Sequence, residues 1–560
     1  MMSMLLSLAF AAMVAPASPT QRAPIGSDIV TAVERGDYAA ASQAAGAAAD
    51  RCTAAPPGTP DYCLDLLNAA ANLAGRAGDI AASERYARRA LAIADAATPA
   101  GHPDRATARN NLALALTSLG RSDEAQRYYR DALALYETAL PPGHALIAVA
   151  LSNLAGALLD SGRDAEAEPL YRRALAISEA SVGPTHPTIA VILNNLAASL
   201  EAQGRAAEAE PLLRRSLAIR AAVLPPGHPE LAIATANLAG NLQARGFNGE
   251  AAALYREALA MQEAALPAGH PAIATGAANL AATLRALGRF AEAETLYRRA
   301  LAIRERALPP GHSDIASAYE GLGAVLAEQH RSAEAEPFYR RVLLLRDAAL
   351  PVGHPDRALA RANLGANLQA QGRLAEAEPL LREALAMQER IFRPTHPALA
   401  ATIGSLAVVL HGQGKRGEAE ALFRRALVLR ETALGASHPL VATSAANLAG
   451  NLIGQGKRVE AVTLFRRAWR LSAGWADAAH PDRILAGWNL AEALTGDPAA
   501  AAEVRTLLRA AGDGIRDRVT AHPGFDGAAA EELRRYGPVF RAQVRSAWTL
   551  GTRQSLVQQR

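Results

Sequence analysis

Histidine is the residue type whose spacing first suggests chemistry. Eleven of the thirteen histidines recur every 42 residues: His102, His144, His186, His228, His270, His312, His354, His396, His438, His480 and His522. A ladder of imidazoles invites a metal. However, repeated helical units lie at least one helix diameter apart, about 10 Å, and a shared zinc needs its ligands about 2 Å from the ion. Most of these histidines precede a proline, which fits a loop-to-helix junction with Pro as the first helical residue, where its missing N–H costs nothing. The carboxylates Glu166, Glu208, Glu292, Glu334 and Glu376 also repeat with the unit. Catalysis needs one special constellation, whereas a copy in every module reads as a solvated helix face paired with neighbouring Arg. H-E-x-x-H, G-x-S-x-G and G-x-x-x-x-G-K-[ST] do not occur. No catalytic residue, cofactor or metal site is expected.

The unit that positions these residues is read from the window opening at His102. Ala108, Leu112, Leu116 and Leu119 follow helical three-and-four spacing, and Gly120-Arg121 then breaks the pattern. Ala125, Tyr129, Ala132, Leu133, Tyr136 and Leu140 form a second apolar stripe, ended by Pro141-Pro142-Gly143. The spacing predicts helix, tight turn, helix, loop, with helices of about 16 and 19 residues, roughly 24 and 28 Å long. One leucine register runs unbroken from Leu112 to Leu490 and another, four residues on, from Leu116 to Leu494. In the second helix Ala125 recurs as Ala167, Ala209, Ala251, Ala293, Ala335, Ala377, Ala419 and Ala461, with a bulkier Tyr, Leu or Phe four residues later. Small against large at fixed positions lets one element accept the next. A single hairpin cannot bury both faces, so the units must stack.

These residues resemble the tetratricopeptide repeat: the helix-A Leu, the inter-helix Gly (Gly120, Gly162, Gly204, Gly288), the helix-B Ala and the aromatic after it. The 42-residue length, Asn-Leu-Ala in the first helix, the segment Glu166–Leu175 and the Leu-Pro-Pro-Gly-His-Pro loop are similar to the kinesin-light-chain-type subgroup, which also occurs in bacterial proteins. The resemblance implies an all-α, right-handed superhelical solenoid of antiparallel helix-turn-helix hairpins. Residues 60–521 form the array and 18–59 a degenerate N-terminal capping repeat through Gly36-Asp37. Residues 522–560 form a C-terminal helical cap. All four tryptophans, Trp469, Trp475, Trp488 and Trp548, fall near that end, and Pro498 stands where the turn Gly is expected.

The resemblance also implies a peptide or protein ligand in the concave groove lined by helix A. The position just before the helix-A Leu points into that groove. Here it reads Asn111, Asn153, Asn195, Asn237, Asn279, then Gly321, Asn363, Ser405, Asn447 and Asn489. An amide donates and accepts at once, so this ladder could hold an extended main chain; equally, each Asn could bond its neighbouring repeat and fix the packing. The stretch Asn111 to Asn279 is the longest run. Ala198, Gly156, Gly240 and Ala282, three residues on, leave room for a ligand. Groove cations of the carboxylate-clamp variety are not found, since Asn110, Ser152, Asn194 and Ala236 hold one of those positions.

Composition narrows the setting. Lys+Arg 58 against Asp+Glu 54 leaves a net charge of +4, interspersed along the helices with no dense basic block to follow a phosphate backbone. Lys occurs only at Lys415 and Lys457, which codon usage explains more simply than an arginine-specific ligand. Met4–Val14 is an apolar run too short to span a bilayer, and Ala15-Pro16-Ala17 offers a cleavage site before Ser18. Residues 1–17 therefore read as a signal peptide, with an n-region that lacks Lys and Arg. A periplasmic or secreted protein is expected, with no later membrane span. In that setting Cys52 and Cys63 can form a disulfide across the N-terminal cap. The function expected is a non-catalytic, exported scaffold for a protein or peptide partner. The alternative is a cytoplasmic regulatory or adaptor module of a signalling enzyme complex.

Overall fold

The computed structural model describes residues 27–54, 60–474, 476–520, 533–534 and 536–542. Residues 1–17, Trp475, Trp548 and His522 lie outside them, as does most of 522–560. The described residues are helical throughout and form two compact units, Met1–Arg289 and Phe290–Arg560, whose boundary falls in the turn of the His270 repeat.

Each repeat opens on its histidine. From His102 to His480 the Nδ1 of that residue accepts a hydrogen bond from the backbone N–H two residues on, at 3.1–3.3 Å. Imidazole thus does the work of the Ser or Asp that usually caps a helix N-terminus. Helix A follows, 16 residues in most repeats (Pro103–Ser118, Pro229–Ala244, Pro355–Ala370). It ends on a glycine with φ near +75°, such as Gly120 and Gly204. The residue after that glycine bonds back to the last core Leu of helix A, as Arg121 N does to Leu116 O at 2.9 Å. This is the six-to-one closure of a Schellman turn, which needs a left-handed residue. Helix B then runs 18 or 19 residues in most repeats (Ser122–Ala139, Asp164–Val182).

Both leucine registers of helix A are at most 4% exposed, and the helix-B alanines from Ala125 to Ala461 are fully buried. The small residue after the first Leu receives the bulky side chain of its own helix B. A Cβ on Gly323 would lie 3.2 Å from the Tyr339 ring, and one on Gly365 only 2.7 Å from Leu381. Late in helix B a buried or half-buried arginine fastens the first turn of the next helix A. Arg304 donates to Asp314 O at 3.0 Å, and Arg430 to Leu440 O at 3.3 Å. The two guanidinia reach carbonyls ten residues on.

The ends differ as a solenoid's ends must. Ser27–Glu34 and Tyr38–Ala54 form a short hairpin whose Ile29, Ala41, Ala45 and Ala49 bury against Leu64, Leu67 and Leu73. Cys52 and Cys63 are joined as a disulfide, Cα atoms 5.6 Å apart. At the other end, Pro498 does not make the turn. Gly496, two residues earlier, takes the positive φ (+97°), and Pro498–Ala500 becomes a single 3-10 turn. Trp469 packs where Gly487 leaves space, and Tyr536 and Val539 bury against Ile484 and Ile515 with Trp488 and Phe540 at their side. The tryptophans at 469 and 488 are thus packing residues of the terminal face.

One turn breaks the glycine rule. His330 occupies the register of Gly288 and Gly372 with φ +59°, a conformation that costs an L-residue about 1 kcal/mol or more. His330→Gly should stabilise the second unit by about 1 kcal/mol, read as a higher urea midpoint at unchanged slope.

Candidate functional site

The helix-A asparagines share one register of their helices, but they are not equivalent. In the first unit Asn111 Nδ2 donates to Asn68 Oδ1 at 2.9 Å, Asn153 to Asn110 at 3.0 Å and Asn237 to Asn194 at 2.6 Å. In the second, Asn363 donates to Glu320 at 2.8 Å. Each bond links helix A of one repeat to the preceding helix A, 43 residues back. Four of the ladder residues therefore tie repeats together through their amide N–H.

The acceptor register, one residue before the ladder, is the part sequence reading missed. It holds Asn68, Asn110, Asn194 and Glu320, and in other repeats Ser152, Ala236, Ala362, Gly404 and Ala446. A rung forms wherever that residue carries a carbonyl or carboxylate long enough to cross. The doubled Asn110-Asn111 and Asn194-Asn195 were the available signal, since each pair can bond in both directions along the stack. Where the acceptor is short the amide has no such bond: among the described residues Asn195, Asn279, Asn447 and Asn489 make no side-chain hydrogen bond. Asn195 is buried, Asn279 and Asn489 are half-buried and Asn447 is exposed.

Exposure divides the helix-A face. In the His102, His144 and His186 repeats Thr107 and Val149 are half-buried and Val191 is buried. From the His228 repeat the same face opens: Ile233 is 40% exposed, and in the second unit Ser317, Leu359 (41%), Ala401 and Thr443 are exposed. The position three residues beyond these holds Glu320, Ala362, Gly404 and Ala446. Its one charge, Glu320, is taken by Arg346, Nη2 to Oε2 at 2.6 Å, and by Asn363. The small residues are small for two reasons. Gly240 sits under the Tyr255 hydroxyl, whereas nothing approaches Gly450. The missing Asn at Gly321 has a cause too, because the Tyr297 ring fills the space a side chain would need.

On the turn edge, the cation that follows the turn residue in several repeats grips a carboxylate of the preceding helix B. Arg205 reaches Glu168 (2.6 Å), Arg331 Glu294 (2.8 Å), Arg373 Glu336 (2.6 Å), Lys415 Glu378 (2.9 Å) and Lys457 Glu420 (2.6 Å). The arginines also bind the Glu three residues on, as Arg205 does Glu208 and Arg373 Glu376. The Lys415 ammonium, with Gln413 and Arg382 against a smaller burial effect, holds Glu378 down to about 2. Lys457 and Arg424 do the same for Glu420, also about 2. This basic edge is neutralised in place.

The ten capping histidines from His102 to His480 spend Nδ1 on the fold. With Nδ1 accepting a backbone N–H, the ring proton sits on Nε2, so neither nitrogen has a lone pair free for an ion. Among the described residues no group of three or more His, Cys, Asp or Glu is placed to hold a metal, and no helix is long and apolar enough to cross a membrane.

A tetratricopeptide-repeat family model matches successive segments between residues 62 and 473, beginning 62–138, 146–222 and 188–264 and ending 399–473. The chain belongs to the tetratricopeptide-repeat family. That makes it a protein-interaction scaffold in the broad sense. Among solved structures it is similar to the kinesin-light-chain, nearly identical TPR-like repeats of Podosopora anserina, at 27% identity over 37% of this chain and 97% of that one, TM-score 0.34. BtubC (BKLC) from P. vanneervenii is 24% identical over 42% of this chain and 92% of its own, TM-score 0.35. The apo quorum sensor NprR of B. thuringiensis is 12% identical over 65% and 97%, TM-score 0.47. No curated protein sequence matches.

The turn-edge pairs carry a pH signature. A carboxylate held near 2 when folded but titrating near 4.3 when unfolded stabilises the fold fully above about pH 4.5, and that contribution is lost as the pH falls toward 2. Lys415→Met should therefore lower the urea midpoint at pH 6, with a smaller deficit at pH 3. An equal deficit at both would show that the pair does not set the titration of Glu378.

Proposed function

We propose that this protein is an exported, non-catalytic scaffold that takes an uncharged peptide or protein segment along the helix-A face of its repeats. The observation that carries the reading is the open, nearly charge-free face. Ser317, Leu359, Ala401 and Thr443 are exposed in succession, and Glu320 is already neutralised. Asn447 adds an exposed amide with both its donor and its acceptor available to a main chain. Contact should concentrate on this stretch of the second unit. The first-unit asparagines 111, 153 and 237 spend their N–H groups on neighbouring repeats.

Charge supports the same partner class. The cations of the turn edge are each paired with carboxylates, so a polyanion such as nucleic acid would have to displace existing ion pairs. A catalytic role would need a nucleophile–base pair or a metal site, for which the repeated carboxylates and capped histidines supply no special constellation. Export rests on the apolar start with its Ala15-Pro16-Ala17 site and is supported by the Cys52–Cys63 disulfide, a bond that persists in oxidising compartments.

The test is a crosslinking pull-down from native cells with wild type and Leu359→Glu/Thr443→Glu, both side chains being exposed and outside the core. The expected result is loss of a specific partner protein at unchanged circular dichroism and melting, and a mature N-terminus at Ser18. Partners retained at full yield would place binding elsewhere, and an N-terminus at Met1 would remove export.

A further inference from the structure

The rung ladder of the first unit has one step that the side chains alone do not close. Asn68 to Asn111, Asn110 to Asn153 and Asn194 to Asn237 are bonded directly, at 2.6–3.0 Å. Between Asn110–Asn153 and Asn194–Asn237 the register sets Ser152 opposite Asn195. Ser152 is 1% exposed, and its hydroxyl has no hydrogen-bond partner. A serine inside a helix ordinarily satisfies itself by bonding the carbonyl four residues back, yet Ser152 does not. Asn195, 6% exposed, likewise makes no side-chain hydrogen bond among the described residues, and Asn153 Oδ1 on the same helical turn as Ser152 is a buried acceptor without a partner.

We infer that this step is a built water site: one ordered water bridging Ser152 Oγ and the Asn195 amide. Geometry and energetics point the same way. The serine oxygen sits about one bond length closer to its backbone than an asparagine Oδ1 does. No direct Ser152–Asn195 bond forms, and one water can serve both groups with two ordinary hydrogen bonds. Leaving the buried Ser152 hydroxyl unmet costs more than immobilising a water that also serves the Asn195 amide. Leu151, Ser152, Val191 and Asn195 are all buried, and interior waters are held where buried polar groups lack protein partners. With the water in place, the polar spine runs unbroken from Asn68 to Asn237.

The experiment is a crystal structure of the full chain at a resolution that shows ordered water, for wild type and Ser152→Asn, with melting of both and of Ser152→Ala. The expected result is a water within hydrogen-bond distance of Ser152 Oγ and the Asn195 amide in wild type. In Ser152→Asn it is replaced by a direct amide–amide bond, while Ser152→Ala melts lower than wild type. A wild-type map in which Ser152 bonds its own helix carbonyl with no water peak would overturn the proposal. So would a Ser152→Ala variant that melts with wild type.

Discussion

Everything in this molecule depends on one packing constraint: the small residue that follows the helix-A leucine must accept the large side chain of helix B. Ala113 and its equivalents, including Gly323 and Gly365, receive Tyr129, Tyr339 and Leu381 or their counterparts, and the two helix-A leucines close over the contact. Each buried leucine or aromatic ring contributes on the order of 1.5–3 kcal/mol, and truncating such a leucine costs about 2–5 kcal/mol. A hydrogen-bonded rung between neutral amides adds only about 1 kcal/mol net. Apolar packing therefore holds the hairpins together, while the amide rungs and the turn-edge ion pairs fix how one hairpin is set against the next. The two roles fall on different registers of the same helix, so the chain repeats both every 42 residues.

The repeat, its helix lengths and its buried registers were legible in the sequence because they are periodic. Ten copies of one pattern average out local exceptions, so the leucines and alanines could be placed without coordinates. The exceptions needed the structure. Pro498 stands at the turn register, but Gly496 makes the turn, since a positive φ two residues earlier lets the chain reverse before the proline is reached. His330 takes the left-handed turn that the register gives to glycine. The histidine ladder was legible as structural, but its device, Nδ1 as a helix cap, depends on a tautomer that spacing does not encode.

The candidate site was legible only in part. The asparagine register was visible, and so was the choice between gripping a ligand and bonding a neighbour. What decides between them sits at the acceptor register and differs from repeat to repeat. Asn110 and Asn194 carry carbonyls and use up the next amide; Ala236 and Ala446 do not. The longest unbroken run of asparagines is accordingly the most occupied with packing. The open face begins later, at Ile233 in the first unit and across Ser317 to Thr443 in the second. Periodicity shows which residues share a face. It does not show which of them are already bonded.

The central claim is that Asn111, Asn153 and Asn237 of the first unit join repeats through their amide N–H groups and do not hold these free for a ligand. A double-mutant cycle on Asn110 and Asn153, each changed to Ala singly and together, measures this most directly by urea unfolding of the partner-free protein. The account predicts a favourable coupling of about 1 kcal/mol, because the Asn153 N–H finds its acceptor on Asn110 at 3.0 Å. Strictly additive effects would contradict it, and would return Asn153 to the set of amides available to a partner.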